Sequence, residues 1–203
     1  MDQRTPQPSA ARRAGRRTAL AACLLTTAAL LLTGCGGDSS AAAGPDTGGE
    51  SGHEAHGMAD TAMGDPSATP AADIPGAEVR QAPLTLLDTR PPGTDGVRGT
   101  AWLAQHEGGT TVTVSMTGLE PGTDYISHLH LKACAEENGG DHFRFDPDGS
   151  DLPPNEIHLA FTGDAQGRAE MTVENDRRTG DAAASLVVHP RDAQDNRLAC
   201  ADF

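Results

Sequence analysis

Downstream of residue 80, apolar and polar side chains alternate in short runs, and glycine and proline separate the runs. Val112, Val114 and Met116 interleave with Thr111, Thr113 and Ser115. That is the period-two pattern of a strand with one face in a core. Runs of this kind predict strands at 81–89, 99–105, 110–117, 125–131, 156–162, 168–174, 184–188 and 197–203. Glu107-Gly108-Gly109 predicts a hairpin between the second and third strands, and Gly163-Asp164-Ala165-Gln166-Gly167 predicts another between the fifth and sixth. Residues 132–155 read as a long loop rich in glycine, aspartate and proline. No segment carries a strong helical period. The pattern predicts an all-β sandwich or barrel.

Before residue 78 the pattern changes. Arg12, Arg13, Arg16 and Arg17 precede an apolar run from Thr18 to Leu32, which ends in Leu-Thr-Gly-Cys at Cys35. A charged region, a short apolar region and a small-residue ending make residues 1–34 a signal peptide. The ending resembles a bacterial lipobox, so Cys35 is the expected lipidation site and the membrane the expected anchor. The chain then belongs on the outer face of the cytoplasmic membrane. Arg16-Arg17 leaves the export route, general or twin-arginine, open. Residues 35–77 have little to bury and no period, and predict a disordered tether. Within it, His53, His56, Met58 and Met63 read either as incidental linker residues or as an accessory copper-capturing segment.

Composition narrows the picture. The 203-residue chain carries a net charge of −14, and residues 1–34 hold five arginines and one aspartate, so the remainder stands at −18. A nucleic-acid partner is excluded, because phosphate binding needs clustered cations. Cys23 and Cys35 belong to the export segment. Cys134 and Cys200 remain, and in an exported protein a lone pair is most simply a disulfide.

The chemistry centres on Ser127-His128-Leu129-His130-Leu131. On a strand His128 and His130 share a face and Leu129 takes the other. Two imidazoles so placed can converge on copper, zinc, iron or nickel, or can simply sit on a wet strand face.

The order of further motifs resembles the copper–zinc superoxide dismutase family, an eight-stranded Greek-key barrel, over most of residues 80–203. Gly118-Leu119-Glu120-Pro121-Gly122 followed by His128-Leu129-His130 is similar to the family's Gly-Leu-x-Pro-Gly turn and HxH strand. Gly140-Asp141-His142-Phe143 resembles its Gly-Pro-His-Phe, Leu186-Val187-Val188-His189 its Leu-Val-Val-His, and Arg197-Leu198-Ala199-Cys200 its C-terminal Arg-Leu-Ala-Cys. The resemblance implies a Greek-key domain over 78–203 and copper held by His128, His130, His142 and His189. It also implies an anion-attracting Arg197, a proton-carrying His142 and a Cys134–Cys200 disulfide. Local alternatives stand beside these roles. His142 can be a loop histidine, His189 a strand terminus, and Arg197 the partner of a nearby aspartate. His106 reads as solvent-exposed and His158 as structural.

The family's zinc half departs. No histidine follows His142 before His158, and Ile157 falls at the family's aspartate position. The resemblance is therefore to the copper-only branch, without zinc, in which a carboxylate orients the bridging histidine. Glu156 is the candidate, against the alternative of an exposed strand glutamate. The implied activity is copper-dependent dismutation of superoxide outside the membrane. The competing reading is a lipoprotein that buffers or delivers copper. The oligomeric state is left open.

Overall fold

The computed structural model describes residues 63–203. The signal peptide, Cys35, His53, His56, Met58 and most of the tether lie outside the described residues. Nine strands form two antiparallel sheets. In one, β1 (Glu78–Pro83), β3 (Arg98–His106), β4 (Gly109–Thr117) and β7 (Arg168–Asn175) run in that order. In the other, β2 (Thr85–Leu86), β9 (Ala199–Asp202), β8 (Ser185–Pro190), β5 (Asp124–His130) and β6 (His158–Thr162) run in that order. Leu103, Val112, Val114 and Met116 from the first sheet and Leu129, Leu159, Leu186 and Val188 from the second are buried in one cluster. Each large apolar side chain so buried contributes roughly 1.5–3 kcal/mol. The chain runs β5, β6, β7, and β8 then returns to the far side of β5, which is a Greek key.

Three local expectations are corrected. The strand at 81–89 divides: β1 pairs with β3 and β2 with β9, with buried Leu84 between them. The hairpin expected around 163–167 is a crossover, because β6 finds its ladder on β5 and β7 finds its own on β4. The alternation in β4 predicts one buried face, yet Thr111 and Thr113 are buried as well.

The cover on that second face comes from residues 63–77, which composition assigns to the tether. Ala71 is fully buried in a 3-10 turn, Ala71–Asp73, and its N–H donates to Thr113 Oγ1 at 2.9 Å. The Thr113 and Thr172 hydroxyls share a 2.8 Å hydrogen bond. Asp65 N–H donates to Thr172 O at 2.6 Å, and Ala160 N–H donates to Met63 O at 2.8 Å. The segment thus bridges β7 and β6, one strand from each sheet. The folded body begins upstream of residue 78.

Candidate metal centre

Strand parity places the chemistry. Leu129 enters the core, so His128 and His130 face outward from the second sheet. The register sets Ile126 opposite His189 on β8 and His128 opposite His158 on β6, so both further histidines join that outer face. The loop 131–157 covers it. Leu131 N–H donates to Asp141 O at 3.0 Å and Phe143 N–H to Leu129 O at 2.8 Å, which sets His142 against His130 in a single antiparallel bridge. Gly139 permits the close approach: a Cβ there would lie 2.8 Å from Val187 Cγ2 and 3.3 Å from the His130 ring.

One nitrogen from each of His128, His130, His142 and His189 lies within 4.8 Å of the others. The opposite nitrogens fix the rings. His130 Nδ1 donates to Gly140 O at 3.1 Å, His142 Nδ1 donates to Glu156 Oε2 at 2.8 Å, and His189 Nδ1 donates to Gln194 O. Carbonyl and carboxylate oxygens only accept, so each of these Nδ1 atoms carries the proton and leaves Nε2 a lone pair. His128 Nδ1, His130 Nε2 and His189 Nε2 are buried without a hydrogen-bond partner among the described residues. A buried unpaired nitrogen costs roughly 1–3 kcal/mol. Three of them, converging with a fourth imidazole, fit a metal ion, and an all-imidazole set suits copper, zinc, iron or nickel.

Burial also keeps the His128, His130 and His189 rings neutral. It pushes His130 down to about 3 and His189 down to about 4, and it drives His128 far below the usual imidazole range, with the neighbouring histidines adding to the shift. Lone pairs therefore stay available at neutral pH.

Glu156 is the second element of the site. The strand expected from 156 begins at His158, so Glu156 closes the loop, and it is 1% exposed. Its Oε2 accepts from His142 Nδ1 at 2.8 Å and His158 Nε2 at 3.0 Å, and its Oε1 accepts from Arg144 Nε at 2.9 Å. Burial alone would raise its pKa. The bonds from His158, Arg144 and His142 together outweigh burial and hold it below the ordinary carboxylate value. The His158 ring stands edge-on to His128, 4.4 Å between centroids, outside the four-nitrogen group.

Arg197 pairs with no aspartate among the described residues. Its Nη1 donates to Glu137 O at 3.0 Å and Asn138 O at 2.8 Å. Glu137 and Asn138 both adopt left-handed backbone, φ 54° and 56°. The Cys134–Cys200 disulfide, 5.7 Å between Cα atoms, ties this loop to β9. A pocket of about 480 Å³ opens beside the histidines, with Leu131, Asp141, His142, Arg144, Pro147 and Arg197 in its wall.

Other candidates lie elsewhere. Met63 lies against β6, where its carbonyl oxygen accepts from Ala160 N–H. His106 is half-buried rather than exposed, its Nε2 3.0 Å from Thr111 Oγ1. Arg144 joins the site through Glu156, and no motif or spacing in the sequence flags it.

No family model matches the chain, and no curated protein matches it. Among solved structures it is similar to the Cu/Zn superoxide dismutase from Brucella abortus, with 20% identity over 62% of this chain and 99% of that one, at a TM-score of 0.43.

Proposed function

We propose that this chain is a copper-dependent superoxide dismutase that works without structural zinc. One observation carries the reading: three buried, unpartnered imidazole nitrogens converge with His142, whose far nitrogen is held by a buried carboxylate. Copper bound there supplies the one-electron cycle that converts two superoxide ions and two protons to O₂ and hydrogen peroxide. His128 through Nδ1, and His130 and His189 through Nε2, would hold the ion, since these nitrogens are buried without another partner. His142 completes the set through Nε2. Glu156 keeps the proton on His142 Nδ1 and so fixes its tautomer, the task a second metal would otherwise perform. Arg197 draws the small anion toward the centre, held in register by two carbonyls and the disulfide loop. That local charge matters in a chain with a net charge of −14.

The same proposal puts a lipid anchor on Cys35, on the outer face of the cytoplasmic membrane, and a copper-gathering role on His53, His56, Met58 and Met63. That histidine and methionine segment also favours a second reading, copper buffering or delivery with little turnover. Metal content and superoxide decay, measured on the mature chain loaded with copper and with copper plus zinc, separate the two. One copper, no zinc and fast decay is the expected outcome. Bound copper with slow decay moves the reading to copper handling, and stoichiometric zinc overturns the zinc-free assignment.

A further inference from the structure

We infer that Arg144 is a second anion-guiding residue, set in place by the same carboxylate that orients His142. The inference rests on the dismutase reading above and extends it to a residue that reading does not use.

Arg144 lies two residues beyond His142 on the returning loop. Its Nε donates to Glu156 Oε1 at 2.9 Å, while its side chain stays 36% exposed. No hydrogen bond from its terminal nitrogens to a described residue is found, whereas the Nη1 of Arg197 is spent on two carbonyls. Arg144 and Arg197 both contribute to the wall of the pocket that His142 borders. The fork geometry of guanidinium explains the division of labour. One edge can be fixed on a buried carboxylate while the other edge offers donors to solvent or to an anion.

Charge balance points the same way. Asp141 shares the pocket wall, and the Glu137 carboxylate, paired with Lys132, is close enough for Arg197 to influence it. Arg197 alone therefore faces two nearby acids inside an acidic protein. A second guanidinium brings the mouth from net negative to neutral. Focusing by a few fixed charges at a cleft governs how often a small anion reaches it.

The test uses the full mature chain loaded with copper, and azide as the anion probe, with binding followed by optical titration. Arg144→Gln keeps a donor for Glu156 and removes the charge. It should weaken azide binding roughly three- to fivefold, the scale of one partly exposed charge, and should flatten the salt dependence of azide association. Arg144→Lys restores the charge and should recover most of that loss. Arg197→Gln serves as the internal control. If Arg197→Gln weakens azide and Arg144→Gln does not, this inference is wrong and the dismutase reading stands. If Arg144→Lys binds azide as poorly as Arg144→Gln, a positive charge at this position does not draw the anion, and the anion-guiding role is overturned. If the wild-type chain takes up copper but binds no azide, the dismutase reading itself fails.

Discussion

Replacing Glu156 with glutamine isolates the carboxylate that stands where a second metal could bridge. The side chain is 1% exposed and accepts three hydrogen bonds, from His142, His158 and Arg144. A carboxamide of the same shape offers one accepting oxygen and forces an NH₂ group against a donor. Bonds to a charged group are worth about 1.5–3 kcal/mol each, but the loss is smaller where the partner can rehydrate. The side chains of His142 and Arg144 are 31% and 36% exposed and can do so, whereas that of His158, at 8%, cannot. One fully buried charged bond plus one mismatched donor sums to about 2.5–6 kcal/mol. The metal-free Glu156→Gln protein should therefore unfold at a clearly lower urea midpoint with an unchanged slope. Copper affinity should also fall, because a lost outer partner of a ligating histidine typically costs about 10–100-fold. An unchanged midpoint together with a copper Kd within about twofold of wild type would refute the reasoning, since the three bonds would then contribute nothing net.

Three other perturbations follow from the same geometry. Folded His130 and His189 resist protonation down to about 3 and about 4, while the unfolded chain protonates both near the ordinary 6.5. Metal-free stability should thus fall as pH drops from 6.5, by about 1.4 kcal/mol per pH unit for each such histidine, and Glu156 adds in the same direction once the unfolded carboxyl protonates below its usual 4.5. Urea midpoints at pH 7.5, 6 and 5 check this, and a midpoint that rises toward acid contradicts it. Removing the disulfide with Cys134→Ser and Cys200→Ser frees a 66-residue span, which in the chain-entropy model costs about 4 kcal/mol; equal melting of reduced and oxidised protein would argue against that figure. Thr113→Val leaves Ala71 N–H without its acceptor and should cost about 1–3 kcal/mol in thermal unfolding; a neutral result would mean the 63–77 segment is not bonded there in solution.

The parts of the fold that were legible in the sequence are those that period two controls. His128, Leu129 and His130 announce their faces because side chains on a strand must alternate. The turn at 163–167 was legible as a turn but not as a crossover, because a local glycine signal is the same whether the next strand joins one sheet or the other. Residues 63–77 were misread for a different reason. Their bonds to the body run through Met63 O, Asp65 N–H and Ala71 N–H, backbone groups that every sequence carries. The threonines they cover look like a solvent face because hydroxyls count as polar even when satisfied. Arg144 was missed because its meaning depends on how the loop 131–157 folds back, which no spacing along the chain encodes.

Glu156 and Arg144 make sense as a pair once the charges at His142 are counted. A divalent ion on His142 Nδ1 would fix the ring and also add two positive charges beside the pocket. A carboxylate fixes the ring equally well by accepting its proton, but it adds one negative charge. Because a metal displaces the Nδ1 proton that the carboxylate leaves in place, the exchange makes the site less attractive to an anion by two charges, in a chain already at −14. Such a carboxylate also cannot be buried alone, since an isolated ionised group in a low-dielectric interior is strongly disfavoured. Arg144 answers both difficulties. Its Nε satisfies the Glu156 oxygen that the two imidazoles leave open, and its guanidinium returns one positive charge to the pocket wall beside His142. A neutral donor in place of Arg144 would satisfy the hydrogen bond to Glu156 and leave the electrostatic deficit standing.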